Sequence, residues 1–234
     1  MQRNRNTHNA EMPGNDLLLL QSQDSNSIKC FKQVIPLTIY HYYISDLIEE
    51  HAPFYELLNT LKTAEAHDRI IIYLNCPGGA LYVAIQIVNA IQTSQATVIT
   101  CLDGQVCSAA TLIFLVGHEY IVNKHGSFMI HNYSEGVFGK GNEIISRVKH
   151  ATDWFEKLTY DIYGNFLTPE EIQGVLQGKD LWLDSDAVLE RLQKKEQNEE
   201  TEEEVEEEII EVEAVPLLKT KKPRTSTKKI DKKK

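Results

Sequence analysis

Three kinds of residue in this sequence could carry covalent or metal chemistry: a serine set among small residues, eight histidines and four cysteines. The serine is Ser108, in Gly104-Gln105-Val106-Cys107-Ser108-Ala109, just ahead of the apolar run 109–116 that reads as a buried helix. Backbone amides at a helix start have no partner inside the helix and point at whatever fills the preceding turn. A hydroxyl there can attack a carbonyl carbon while the amide of Ala109, and one from the turn Pro77-Gly78-Gly79, hold the developing oxyanion. Glycine lets that second backbone come close because no side chain stands in the way. The plain alternative is a helix cap, the commonest use of a serine in this position.

A serine hydroxyl is a weak nucleophile at neutral pH, so the chemistry needs a base, and the base needs a group that fixes its tautomer. His131 follows Ser127-Phe128-Met129-Ile130, which places it at a strand end, where active-site residues of parallel sheets collect. A histidine ending a strand is also commonly structural. His118 and His125 flank loop residues and read as solvated. Together with His131 and Glu119 they could be written as a metal set, but no HExxH or Cys/His spacing supports one. Cys30, Cys76, Cys101 and Cys107 form no CxxC pair, and three of them sit in or beside apolar runs, where a free thiol behaves as a small hydrophobe. A reducing, cytoplasmic setting fits that usage. No stretch approaches the roughly 18 uninterrupted apolar residues of a membrane span.

The elements that must position these groups alternate in kind. Residues 68–74 form a β-branched run ending at Asn75-Cys76-Pro77-Gly78-Gly79, which predicts a buried strand running into a tight turn. Ala84, Ile87, Val88 and Ile91 then repeat at helical spacing. A second buried strand is expected over 97–102, a buried helix over 109–116, and short strands over 120–122 and 128–130. Ile144, Val148, Ala151, Phe155, Leu158 and Ile162 mark a long helix with one continuous apolar stripe, expected to be buried against a second subunit. Thr168-Pro169-Glu170-Glu171 opens a further helix with a threonine cap, proline at the first helical position and glutamate three after the cap. A last strand over 181–183 precedes a closing helix capped by Asp184. The alternation predicts one α/β domain with parallel sheets.

These residues carry a resemblance. Asn75-Cys76-Pro77-Gly78-Gly79 resembles the NSPGG turn of the ClpP family of serine peptidases, and Gly104-Gln105-Val106-Cys107-Ser108 resembles its GQAAS nucleophile segment. Phe128-Met129-Ile130-His131 is similar to its MIH segment, Asp180-Leu181-Trp182-Leu183 to the aspartate-led stretch that closes its triad, and residues 136–144 to the glycine-rich strand that opens its long handle helix. The match follows the family's order over residues from about 68 to 192 and looks closest to phage-encoded members. It implies Ser108 as nucleophile, His131 as base, Asp180 as the carboxylate that orients it, and Gly79 and Ala109 as the oxyanion amides. It implies the ClpP/crotonase-like spiral of β-β-α units with a protruding strand-helix handle. It further implies a homo-oligomeric double ring, fed with unfolded proteins by an AAA+ unfoldase of the Clp type, and no cofactor. The chain departs from the family pattern at Ala109-Ala110 after the serine, at Asn132-Tyr133 after the histidine, and at Gly178-Lys179 in place of an Asp-Arg pair. Two rival readings are an acyl-CoA enzyme of the crotonase fold and a non-catalytic ring subunit.

Composition sets the domain limits. With 42% hydrophobic residues in 234, the chain can bury one good-sized core. The formal charge of −10 is distributed unevenly: 196–213 holds eleven glutamates and no lysine or arginine, and 219–234 holds nine basic residues against Asp231. Such blocks repel themselves and bury little. The expected organisation is a polar extension over 1–29, a peptidase domain over 30–195, and a disordered acidic-then-basic tail over 196–234. Nucleic acid enters as a partner only through the basic end of that tail.

Overall fold

The computed structural model describes residues 36–197; the expected N-terminal extension, Cys30 and all but two residues of the expected charged tail lie outside the described residues. The order of elements is β1 (Ile39–Ile44), α1 (Tyr55–Thr63), β2 (Arg69–Cys76), α2 (Leu81–Gln92), β3 (Thr97–Cys107), α3 (Ala109–Leu115), β4 (Glu119–Val122), β5 (Ser127–Ile130), α4 (Gly141–Tyr163), α5 (Pro169–Leu176) and β6 (Leu181–Asp184). A closing helix, α6, follows over 185–197. The result is a six-stranded mixed α/β fold, with sheet order β1-β2-β3-β5-β6 and β4 also on β3.

Period-two burial builds the sheet and period-3.6 burial seats the helices on it. Ile70, Ile72 and Leu74 of β2 point inward and are fully buried. Ala84, Ile87, Val88 and Ile91 of α2 form the facing stripe that their spacing predicts, and α3 is buried on every side. Phe114 of α3 meets Phe128 of β5 edge-on at 5.5 Å, and Phe128 meets Phe166 at 5.7 Å, so aromatic packing carries the core from the helices across to the far strands.

β3 is longer than the strand expected over 97–102. Asp103-Gly104-Gln105 has turn composition, yet the strand continues through it to Cys107. The ladder with β2 shifts register between Leu74 and Cys76, with Cys76 opposite Val106. Asn75 fills the resulting bulge: its Oδ1 accepts the Gln105 N–H at 3.1 Å, and a Cβ on Gly104 would lie 2.5 Å from the same oxygen. The bulge re-aims β3, which pairs with β4 over Ile99 to Leu102 and with β5 over Gln105 to Cys107.

Two further expectations change. The sheet is not wholly parallel, because β6 runs antiparallel to β5. The strand expected ahead of the long helix is absent: 131–140 has no regular structure, and no described strand offers its backbone a ladder. The helix stripe also divides. Ala151, Phe155 and Ile162 are buried within the domain, whereas Ile144 is half-buried and Val148 is 45% exposed; Ile145 and Phe138, which lie outside the stripe, are exposed as well, so the first part of α4 and the segment before it stand out from the rest of the described residues. Among the described residues no helix is long and apolar enough to cross a membrane.

Candidate active site

Ser108 lies between the end of β3 and the start of α3, with φ of +54°, a backbone conformation rare for a residue that carries a side chain. Three contacts hold it there. Its N–H donates to Met129 O at 2.8 Å, and its carbonyl accepts from the Thr111 N–H at 2.9 Å and from the Thr111 hydroxyl at 2.6 Å. Its own hydroxyl does not cap α3, so the plain alternative for this serine does not hold. Instead, Ser108 Oγ lies 2.6 Å from His131 Nε2. The two are brought together because β5 pairs with the last residues of β3, which sets Ile130 and His131 beside the turn that carries Ser108.

The glycine turn closes over the same serine. Gly78 (φ +105°) packs so tightly that a Cβ there would meet Ser108 Cβ and Cys107 O at 2.7 Å. At Gly79 (φ +134°) a Cβ would meet Ile48 O at 2.1 Å. An isolated parallel bridge explains the squeeze: Ile48 N–H donates to Gly78 O at 2.8 Å, and Ala80 N–H donates to Ile48 O at 2.6 Å. In that pattern the Gly79 N–H points away from Ile48, and Gly79 and Ala109 both line the cleft that holds Ser108 and His131. The cleft measures ≈ 240 Å³, with a wall formed by Tyr82, Leu112, Ala151, Trp154 and Phe155. Tyr82 and Trp154 stack at 5.5 Å.

Asp180 precedes β6. In the antiparallel ladder Ile130 faces Leu181, so the next step of the register sets Asp180 opposite His131 at the ladder's end. Its side chain is exposed, and no hydrogen bond joins it to His131. The two positions are therefore adjacent strand ends without a closed contact. Asp180 is delivered there by the C-terminus of α5, where the Lys179 N–H donates to Gly174 O and the Gly178 N–H to Val175 O, both at 2.9 Å. This Schellman pattern needs a left-handed residue, and Gly178 supplies it with φ of +95°. Beside the histidine, Asn132 donates to Leu176 O at 2.8 Å and ties the segment after His131 to the end of α5.

The chain matches the Clp protease family model over residues 43–190, more than half of its length. The chain belongs to the Clp protease family. The fold is accordingly the ClpP-like α/β fold, and the activity class is that of a ClpP-type peptidase.

The remaining candidate residues of this family member fall away from the cleft. His118 is not merely solvated: its Nδ1 accepts the Val98 N–H at 2.9 Å, closing the start of the β3–β4 ladder. His125 is exposed. Among the described residues no group of three or more His, Cys, Asp or Glu side chains is placed to hold a metal ion. Cys107, the neighbour of Ser108, is no rival nucleophile. It is 4% exposed, and burial pushes its thiol up, away from the reactive thiolate. Sequence reasoning missed Thr111 and Tyr163, joined by a buried 2.6 Å hydroxyl pair, of which Tyr163 lines the cleft and Thr111 bonds the Ser108 carbonyl. Each sits in an apolar run, and they are 52 residues apart, so no local signal linked them.

Proposed function

We propose that this Clp protease family member is a serine endopeptidase that hydrolyses peptide bonds of unfolded proteins. The observation that carries the reading is the 2.6 Å approach of His131 Nε2 to a Ser108 hydroxyl that leaves its own helix uncapped. In this reading Ser108 Oγ bonds to the scissile carbonyl carbon as its proton passes to His131 Nε2. The amides of Gly79 and Ala109 hold the oxyanion, and His131 gives the proton to the departing amine. Water then repeats the sequence on the acyl-enzyme. Asp180 swings onto His131 Nδ1 from the facing strand end and holds the tautomer whose Nε2 accepts. The apolar, aromatic wall of the cleft suits a substrate side chain, and family membership supports a ring assembly fed by an AAA+ unfoldase of the Clp type, working in the cytoplasm without a cofactor.

A second reading, a non-catalytic ring subunit, draws on the open contact between Asp180 and His131. One experiment separates the two. Purified chain is treated with a serine-reactive fluorophosphonate and assayed on small fluorogenic peptides, alongside Ser108→Ala, His131→Ala and Asp180→Asn variants shown to assemble like the parent. The serine reading expects labelling lost in Ser108→Ala, and cleavage reduced about a thousandfold or more in each variant, with Asp180→Asn the mildest. Parent protein that neither labels nor cleaves supports the non-catalytic subunit. A Ser108→Ala variant that still cleaves at the parent rate rejects the nucleophile.

A further inference from the structure

The positive φ of Ser108 has to be maintained by its surroundings, because an L-residue there relaxes unless several contacts over-determine it. Two of the three contacts fall on one atom, the Ser108 carbonyl oxygen, and both come from Thr111. That oxygen can only accept, so the Thr111 hydroxyl must spend its one proton on it. The 2.6 Å contact between Thr111 Oγ1 and the Tyr163 hydroxyl then has only one possible direction: Tyr163 donates. Both side chains are buried, Thr111 at 0% and Tyr163 at 4% exposure. Water does not compete for either bond, and burial holds the phenol firmly in its donating O–H form.

Tyr163 is also the last residue of α4, the helix whose opposite end projects from the domain. A relay therefore runs from α4 through two hydroxyls to the nucleophile's backbone. Nothing in it touches Ser108 Oγ, His131 or the oxyanion amides.

We infer that Thr111 and Tyr163 are positioning residues, acting in series through the Ser108 carbonyl to hold the serine backbone where Oγ meets His131. The inference rests on the serine reading above. Thr111 does not line the cleft, and Tyr163→Phe keeps the ring that does, so removing the relay's hydroxyls lowers turnover and spares substrate affinity.

The test uses the full chain with Thr111→Val, Thr111→Ser, Tyr163→Phe and the Thr111→Val/Tyr163→Phe pair, measuring kcat and KM on a fluorogenic peptide and the rate of fluorophosphonate labelling. Thr111→Val should lower kcat and labelling together by about tenfold or more, with KM unchanged within about twofold. Thr111→Ser, which keeps the hydroxyl, should recover to within about threefold of the parent. Tyr163→Phe should cost less than Thr111→Val, and the pair should match Thr111→Val alone, as members of one series do. Parent-like labelling in Thr111→Val, or no recovery in Thr111→Ser, overturns the relay. If the valine variant does not fold, Tyr163→Phe decides, and an unchanged kcat there overturns it as well. Loss of labelling in Ser108→Ala with parent-like rates in both relay variants rejects the relay alone, whereas labelling that survives Ser108→Ala rejects the serine reading beneath it.

Discussion

At the scale of single residues, the site depends on backbone that ordinary side chains cannot adopt. Gly79 carries both constraints at once, a φ of +134° and a neighbouring Ile48 carbonyl 2.1 Å from where a Cβ would stand. We expect Gly79→Ala to destabilise the fold by about 1–3 kcal/mol or more, read as a lower chemical-denaturation midpoint. Gly136→Ala, where a Cβ meets nothing within 4 Å, should leave that midpoint unchanged. Equal midpoints for the two variants would show that the Ile48 bridge yields easily. The need for glycine at 78 and 79 is legible in the sequence because adjacent glycines after a β-branched run advertise a turn. The strain at Ser108 is not legible. Nothing in Cys107-Ser108-Ala109 distinguishes a capping serine from one whose hydroxyl faces a histidine 23 positions later, since the difference lies in which strand pairs with the end of β3.

Elements were legible where their signals are local. The Thr168 capping box forms as its spacing predicts, with the Glu171 N–H donating to Thr168 Oγ1 and the Thr168 N–H to Glu171 Oε2, and Asp184 caps α6 through the Ala187 N–H at 2.9 Å. What escaped depends on partners distant in sequence. The true length of β3 follows from the Asn75 side chain, and β1 follows from its ladder with β2, its own alternation being blurred by exposed Ile39 and Tyr43. The charge partner of Glu171 escaped for the same reason. Arg191 of α6 reaches it through two bonds of 2.7 and 2.8 Å, and its guanidinium lies 5.9 Å above the Phe166 ring. This clamp fastens α6 to the start of α5, the helix that delivers Asp180. The hydrogen bond from Arg191 holds the Glu171 carboxyl below the ordinary glutamate value. A depressed carboxylate stabilises the fold above its unfolded pKa and loses that contribution as pH falls through its folded value. Glu171→Gln should therefore cost about 1 kcal/mol near neutral pH, and the gap to the parent should close in acid. Denaturant midpoints at about pH 7 and pH 3 would check this, and a gap that persists in acid would show that packing, not charge, makes the clamp.

At the scale of the molecule, the described residues leave apolar surface that they do not themselves cover. Phe138 is almost wholly exposed, and Ile145 and Val148 follow it on the projecting part of α4. Such a surface is costly to leave in water, and a second copy of the same helix is the simplest cover. Light scattering at micromolar concentration should find a large oligomer, and replacing Phe138 and Ile145 with serine should shift the population to smaller species. A stable monomer of the parent chain would remove the basis for a closed chamber. A different property of the whole follows from β3, the strand that β2, β4 and β5 all flank. Ser108 directly follows that strand, while Asp180 directly precedes the four-residue edge strand β6, whose sole ladder among the described residues is with β5. Local opening begins where neighbours are fewest. Ser108 thus shares the fate of the part of the molecule that opens last, and Asp180 shares that of a part that opens early. On gentle warming the strand end that carries Asp180 would loosen while Ser108, the glycine turn and most of the sheet stay in place, so in the serine reading the proposed orienting carboxylate would become unavailable to His131 first, and on cooling it would return.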